Sequence, residues 1–325
     1  MKLPRRNFLH LAAGAAALPA MLRIALAQAY PTRPVRIIVG FAAGGSADII
    51  ARLTGQWLSE RLGQQFIIEN RTGAGTNIAT EVVVNSPPDG YTLLLVTSAN
   101  FINATLYKKL SFNFIRDVAP IASLSREPAV MVVHPSVPAK TVPEFIAYTK
   151  GNPGKITMAS GGNGAPSHVA GELFKMLTGA SMVHVPYRGA GPALTGLLGG
   201  QVQVMFLPPL GSMEYVWAGE LLALAVTTAT RLDALPDLPI LGDLVPGYES
   251  SSWFGVSAPR GTPIEIINKL NLAINTCLTD PKTKARFAEL GATVLPGSPG
   301  DFGKLIVSET EKWGKVIRAA NIKAE

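Results

Sequence analysis

The chain has 325 residues, a formal net charge of +7 and one cysteine. Its length is enough for two domains with substantial cores, and its 47% hydrophobic composition argues against a disordered or low-complexity protein. A single cysteine excludes an intrachain disulfide. The basic residues are scattered, without runs interleaved with aromatic side chains, which argues against a nucleic-acid-binding surface.

The first 29 residues have the pattern of an export signal peptide. Basic residues precede an apolar stretch over 8–22, which is too short and too interrupted for a membrane span, and A-x-A cleavage sites end at Ala27 and Ala29. The order RRNFL resembles a twin-arginine signal. Removal of 1–29 leaves 25 basic side chains against 22 acidic ones. We therefore expect a periplasmic protein whose mature net charge is about +3.

The first junction of the mature chain reads VRIIVGFAAGGSADIIAR. An apolar run typical of a strand, 35–40, is followed by a glycine-rich turn and by a helix over 47–62. The first amides of a helix lack intrahelical acceptors and lie at its positive end, so this turn is suited to a carboxylate or phosphate. The alternative is a capped corner in which Asp48 and Arg52 form a surface pair. The candidate ligand residues are Phe41, Gly44, Gly45, Ser46 and Ala47.

Strand-like and helix-like segments alternate along the rest of the chain, which predicts an α/β fold with mainly parallel sheets. Strands are predicted at 35–40, 66–69, 92–96, 129–134, 156–159, 182–185, 202–206, 222–227 and 253–258. Helices are predicted at 47–62, 76–85, 141–150, 167–178, 192–199, 263–278, 280–290 and 299–319. The stretches 119–128 and 235–252 are interpreted as two crossings between domains. Residues 30–127 and 253–325 would then form lobe 1, and 128–252 lobe 2.

Three further loops, RTGAGTN, ASGGNGAPSH and YRGAGPAL, also lie between a predicted strand and a predicted helix. None matches a nucleotide-binding loop. Ligands of open α/β sheets bind beyond the carboxyl ends of strands, so the amides and side chains of residues at these ends are candidates for the same site. They are Thr97, Ser98, Asn100, Ser160, Gly161, Asn163, Gly164, Ser167, His168 and Arg188.

Several of these candidates have structural alternatives. Thr97, Ser98 and Asn100 are equally compatible with a polar turn. His168 either contacts a ligand, caps a helix or stacks inside its lobe. Arg188 is either the cation for a second carboxylate or a solvated surface residue. Phe41, Phe101 and Phe206 are candidates for an aromatic pocket wall or for core positions.

The mature sequence resembles the solute-binding receptors of tripartite tricarboxylate transporters, also called the Bordetella uptake gene family. The resemblance rests on an ordered series of segments: YPTRPVRIIVGFAAGGSADIIAR, ENRTGAGTNIA, SPPDGYTLL, NATLYKKLSFNFIRDVAPI, HVPYRGAGPAL, LLGGQVQVMF and WFGVSAPRGTP. It covers essentially the whole mature chain. Thr76 departs from the pattern, since the family commonly has glycine there.

The resemblance implies a two-lobed α/β periplasmic-binding-protein fold, with a cleft between the lobes that holds an organic carboxylate through backbone amides, small hydroxyls and water. It implies a receptor that delivers this acid to membrane permease subunits, and we expect a monomer without a cofactor. His134 and His184 have no Cys or carboxylate partner at ligand spacing, so no metal site is expected. Two alternatives remain at this point. One is an exported serine hydrolase, since Ser46 and Ser160 lie in glycine-rich turns, and the other is a carboxylate-sensing receptor.

Overall fold

The computed structural model describes residues 30–229, 231–232 and 235–324. The signal peptide predicted over 1–29 lies outside the described residues. Among the described residues, no helix combines the length and the apolar character needed to span a membrane.

The chain forms eleven strands and twelve α-helices in the described part. The strands are β1 (Val35–Val39), β2 (Phe66–Asn70), β3 (Thr92–Thr97), β4 (Val118–Pro128), β5 (Val130–Val133), β6 (Thr157–Ser160), β7 (Val183–Pro186), β8 (Val204–Leu207), β9 (Leu222–Val226), β10 (Ser251–Pro259) and β11 (Thr293–Val294). The helices are α1 (Ser46–Leu62), α2 (Asn77–Val84), α3 (Ser98–Leu106), α4 (Phe114–Asp117), α5 (Val142–Gly151), α6 (Pro166–Thr178), α7 (Ala190–Leu198), α8 (Met213–Trp217), α9 (Leu241–Leu244), α10 (Ile264–Thr279), α11 (Pro281–Glu289) and α12 (Pro299–Ala319).

The strands form two separate sheets. One has six strands in the order β11-β4-β10-β3-β1-β2, and the other has five in the order β7-β6-β8-β5-β9. All nine predicted strands and all eight predicted helices are confirmed, with ends that shift by about two residues. The stretch 119–128, interpreted only as a crossing, is itself most of the long strand β4.

The prediction of mainly parallel sheets is wrong. The pairs β1–β2, β1–β3, β6–β7 and β6–β8 are parallel, but β3–β10, β10–β4, β4–β11, β5–β8 and β5–β9 are antiparallel. For β4 and β10 the reason is the path of the chain between the sheets. It leaves the first sheet along β4 and returns along β10, and two neighbouring strands that run out and back are necessarily antiparallel.

Burial of apolar side chains holds the strands against the helices. All six residues of β3 are buried, as are four of the five in β1. The long helix α12 buries Phe302, Ile306 and Trp313 on one face. It contacts α3 and β4 on the side of the first sheet and also contacts α6, which packs on β6 and β8 of the second sheet. This helix therefore packs against elements of both sheets.

One close contact between α12 and the first sheet leads to a stability prediction. A Cβ added at Gly255 of β10 would lie 2.1 Å from Cζ of the buried Phe302 ring. We expect Gly255→Ala to cost about 1–3 kcal/mol of unfolding free energy through overpacking, measured as a lower urea midpoint. Phe302→Leu in the same chain should recover part of this loss.

The matched control is Gly191→Ala in α7, where nothing lies within 4 Å of the added Cβ. Alanine also favours the helical state over glycine, so this variant should be neutral or slightly stabilised. An unchanged midpoint for Gly255→Ala would show that α12 moves away from β10 at little cost.

Candidate functional site

A cavity of about 190 Å³ lies at the carboxyl ends of β1 and β3, where helices α1, α3 and α6 begin. Most of its wall comes from elements of the first sheet, and Pro166 is contributed by α6. Its lining residues are Phe41, Gly45, Ser46, Ala47, Thr97, Ser98, Ala99, Pro166, Ser252, Trp253 and Phe254. No residue of this lining carries a charged side chain.

The N-terminus of α1 forms one part of this wall. Its N-cap is Gly45, which has no side chain to cap the helix, and the first intrahelical bond runs from the amide of Ile49 to the carbonyl of Gly45, 3.0 Å. Gly44 before it has a φ of +89°, a left-handed conformation that favours glycine. The amides of the first turn therefore border the cavity beside the Ser46 hydroxyl, where an anion is favoured.

Two further helices begin at the same cavity. Helix α3 starts at Ser98, directly after the N-cap Thr97, and helix α6 starts at Pro166. Three helix N-termini therefore border one cavity. Their partial positive charges act in a wall that has no cationic side chain of its own.

Asp48, in the first turn of α1, is turned away from this cavity. It is 2% exposed, accepts from the amide of Gly44 at 2.9 Å and from Asn70 at 3.0 Å, and forms an ion pair with Arg52 at 2.9 Å. The Arg52 hydrogen bond is the main cause that lowers the pKa of this carboxyl to about 2. The predicted pair of Asp48 and Arg52 is thus present, and it holds the loop before α1.

Thr97 and Ser98 line the cavity, whereas Asn100 lies behind it. The Asn100 side chain accepts from the Thr97 amide at 2.8 Å and donates to Thr76 and Thr80 at 3.2 and 2.9 Å. These bonds occupy the buried Asn100 amide within the fold. Thr76 has a φ of +85°, which is the conformation suited to the glycine that the family commonly has there.

The second set of candidates surrounds the start of α6 without lining this cavity. The Ser167 hydroxyl accepts from the amide of Gly161 at 3.1 Å, and His168 Nδ1 accepts from the amide of Gly164 at 3.0 Å. A Cβ added at Gly164 would lie 2.2 Å from Leu106 of α3, so this loop touches the first sheet's helices. Asn163 is half-buried in the same loop, and Arg188 is exposed.

Ser160 belongs to a buried cluster instead. It has no exposed surface, and its Oγ lies 2.6 Å from Nε2 of His184. The imidazole ring of His184 stacks on that of His168 with centroids 3.5 Å apart, and His168 Nε2 lies 3.7 Å from Glu172. Burial is the main cause that lowers the pKa of His184 to about 4. His168 thus stacks inside its lobe, one of the alternatives that its sequence position left open.

Of the three phenylalanines considered for a pocket wall, Phe41 lines the cavity and is 40% exposed. Phe101 and Phe206 are buried in the hydrophobic core. The sequence does not single out the aromatic residues of β10, Trp253 and Phe254, because they belong to an apolar run like that of any core strand.

Sequence reasoning also misses Glu127, near the end of β4. Glu127 is buried, with 4% of the residue exposed, and its Oε1 accepts a hydrogen bond from the Ser46 hydroxyl at 3.2 Å. Burial raises the pKa of Glu127 to about 7, and the Ser46 hydrogen bond acts in the opposite direction. No motif marks this residue, since its partner is 81 positions away.

The part of the chain that the structure describes contains no group of three or more His, Cys, Asp or Glu side chains placed to hold a metal ion. The lining of the cavity offers backbone amides, hydroxyls and apolar surface.

Solved structures share this architecture. The structure of Rpa4515 from R. palustris with adipate matches with a TM-score of 0.80 and 37% identity, over 90% of this chain and 99% of that one. MatC from Rhodopseudomonas palustris with bound malate matches with a TM-score of 0.76 and 31% identity, over 89% and 100%. The periplasmic binding protein BugD matches with a TM-score of 0.77 and 32% identity, over 91% of this chain and 100% of BugD. The fold is that of the two-lobed periplasmic binding proteins.

Sequence comparison defines the family more closely. Residues 50–322 match the model of the tripartite tricarboxylate transporter family receptor. Protein BugT of Bordetella pertussis is 35% identical over 300 residues, which is 91% of this chain and 92% of BugT. The chain therefore belongs to the receptor family of the tripartite tricarboxylate transporters, as its sequence motifs predict, and this is a family of solute-binding receptors.

The environment of Asp48 leads to a prediction on stability and pH. Its folded pKa of about 2 lies below the ordinary value of 3.8, so the ionised carboxylate adds stability that is present above about pH 5 and lost as pH falls toward 2. We expect Asp48→Asn to cost about 1–3 kcal/mol at pH 7, because buried donors lose a charged acceptor. The difference in Tm from the wild type should shrink steadily below pH 4.

The control is Asp237→Asn, at an exposed position. It should leave Tm nearly unchanged both at pH 7 and below pH 4. A difference between Asp48→Asn and the wild type that is independent of pH would contradict the ionised ion pair as its source.

Proposed function

We propose that this protein is a periplasmic receptor that captures a small organic carboxylate between its lobes and delivers it to the membrane permease of a tripartite tricarboxylate transporter. Lobe 1 comprises residues 30–127 and 253–325, and lobe 2 comprises 128–252. The two sheets, joined by β4 and β10, support this division. The signal-like sequence of residues 1–29 supports export.

The convergence of three helix N-termini on one cavity is the observation that carries this proposal. Backbone amides and helix dipoles stabilise an anion without a counter-charge from a side chain. The Ser46 hydroxyl and the amides of the first turn of α1 are the proposed donors to the first carboxylate oxygen atoms, as in the prediction from the glycine-rich turn.

The rest of the lining favours a small ligand with an apolar body. A volume of about 190 Å³ is below the roughly 300–1,000 Å³ of pockets that bind drug-sized molecules. Phe41, Trp253 and Phe254 provide apolar surface for carbon atoms between or beside the polar groups. The relatives Rpa4515, whose structure contains adipate, and MatC, whose structure contains malate, support a dicarboxylate as the first class to test.

The first experiment is a binding screen of the mature protein, unfolded and refolded to remove ligand carried through purification. The panel is acetate, succinate, malate, adipate, citrate, benzoate, nicotinate, aspartate and glutamate, with glucose as a neutral control. We expect a narrow set of acids to raise Tm in a concentration-dependent way, because a ligand that binds only the native state stabilises it. No shift with any acid would overturn carboxylate capture.

Ser46→Ala tests the proposed donor. Loss of one hydrogen bond to a charged group should weaken binding of the best acid by tenfold or more in calorimetry, since such bonds are worth about 1.5–3 kcal/mol. The control is Ser308→Ala, whose hydroxyl bonds the Leu305 carbonyl on the exposed side of α12. Equal affinity of Ser46→Ala and Ser308→Ala would contradict a role of Ser46 in capture.

The receptor is proposed to act without catalysis. The short contact between Ser160 and His184 is the arrangement closest to a hydrolase pair, but Ser160 is fully buried and donates to the Gly162 carbonyl at 3.0 Å. We expect no saturable turnover of chromogenic esters by the mature protein. Sustained turnover that Ser160→Ala abolishes would overturn this part of the proposal.

Delivery to a permease and sensing of the acid are distinguished in cells. Deletion of the receptor should abolish uptake of the identified acid to the same extent as deletion of its permease. If the receptor deletion instead abolishes induction of acid-responsive genes while uptake persists, the protein serves a signalling partner.

A further inference from the structure

The buried carboxyl of Glu127 lies one hydrogen bond away from the cavity. Ser46 lines the cavity, and its hydroxyl donates to Glu127 Oε1 at 3.2 Å. A serine hydroxyl has one proton to donate. While Glu127 is ionised, that proton is committed to Glu127, and the same hydroxyl cannot donate it to a ligand carboxylate.

Protonation of Glu127 reverses this hydrogen bond. The neutral carboxyl group has its own O–H, which donates to Ser46 Oγ and leaves the Ser46 proton free to point into the cavity. Protonation also removes a buried negative charge that would repel an anionic ligand nearby. Both effects act in the same direction, so an anion in the cavity and a proton on Glu127 favour each other.

We propose that Glu127 is a positioning residue for Ser46, and that the receptor captures its acid together with a proton that Glu127 takes up. This inference rests on the proposed function, since it assigns a donor role toward the acid to Ser46. The burial of Glu127 beside the cavity supports it, and so does its pKa of about 7, which leaves the carboxyl poised between its two forms near neutral pH.

The charged groups around Glu127 are engaged with other partners. On α1, Asp48 is held by Arg52. Beside Glu127 on β4, Arg126 has its guanidinium over the Trp253 ring, 5.9 Å from the centroid.

Within the part of the chain that the structure describes, burial and the Ser46 hydrogen bond are the causes that act on the pKa of Glu127, and the titratable groups on β10 and α6 have partners of their own. The register partner of Glu127 in β10 is Ser252, which does not titrate in this pH range. Glu249, just before β10, is paired with Lys312 at 2.8 Å, and on α6 His168 faces Glu172. Burial, opposed by the Ser46 hydrogen bond, is therefore what sets the pKa of Glu127.

The first measurement counts protons in the wild-type protein. Calorimetric titrations with the acid that binds most tightly, at pH 7 in HEPES and in Tris, give the number of protons taken up from the difference in apparent enthalpy. We expect about half a proton per acid bound, because a carboxyl with a pKa of about 7 is half protonated before binding. The dissociation constant should rise about tenfold between pH 6 and pH 8.

Glu127→Gln then tests the residue. The glutamine amide donates to Ser46 Oγ at every pH, so this variant should bind at pH 8 about as tightly as the wild type binds at pH 6. Because the variant has no titratable group at position 127, it should take up no proton there when the acid binds. Wild type and variant are titrated with the same acid, so any titration of that acid contributes equally to both and cancels in their comparison.

Glu309→Gln is the matched control. Glu309 is also a buried glutamate, 6% exposed, but it lies on α12 and bonds Trp313 and Lys312. It should keep the wild-type pH dependence and proton uptake.

The outcomes separate this inference from the proposed function. Two results would overturn the role of Glu127 and leave capture intact. In one, the wild type binds an acid tightly but takes up no more protons than Glu127→Gln. In the other, the dissociation constants of both proteins have the same pH dependence. If Glu127→Gln does not fold, the wild-type proton count decides alone, with zero uptake overturning the inference. Failure of every acid to bind at pH 6 overturns both.

Discussion

The antiparallel pairing of β4 with β10 is the constraint on which the rest of the molecule depends. These strands are the second and third of the six in the first sheet, and they carry the chain to the second sheet and back. At the junction of the two sheets, the fully buried Thr227 bonds Ala129, directly after β4, and Ser250, directly before β10. Because β10 supplies a wall of the cavity and β4 supplies Glu127, the same pairing positions both parts of the site.

The site obtains its positive potential from the backbone. Helices α1, α3 and α6 begin at the cavity, and the two carboxyl groups next to it have opposite environments. Asp48 is bound by Arg52 and by amides, so its charge is compensated and its pKa is low. Glu127 is buried with a hydroxyl as its hydrogen-bond partner, so its pKa is high. The charge of Asp48 is thus compensated, and the raised pKa of Glu127 favours its neutral form. Little uncompensated negative charge therefore lies near the cavity to repel an anionic ligand.

Local patterns in the sequence predict most elements, and the misses have physical reasons. Helix α3 was not predicted because its polar Asn100 and Asn103 do not resemble a buried helix face. Their amides are satisfied by the segment around Thr76, 24 to 28 positions earlier, which no local pattern records. In the site, the first glycine turn and the end of β3 do border the cavity, as expected from the rule that ligands bind beyond strand ends. The second-lobe candidates lie around it, and their contact with a ligand stays a prediction.

The sequence by itself determined the α/β class, the alternation of strands and helices, the family and the glycine-rich turn before α1, where a helix N-terminus favours an anion. These follow from periodicity, glycine position and helix polarity, which are properties of neighbouring residues. Only the tertiary structure decided the direction of strand pairing, the contribution of Trp253 and Phe254 to the wall, and the meeting of Ser46 with Glu127. Those depend on how distant segments pack. Burial raises the pKa of Glu127 and the hydrogen bond from Ser46 opposes it, and neither is visible in a local pattern.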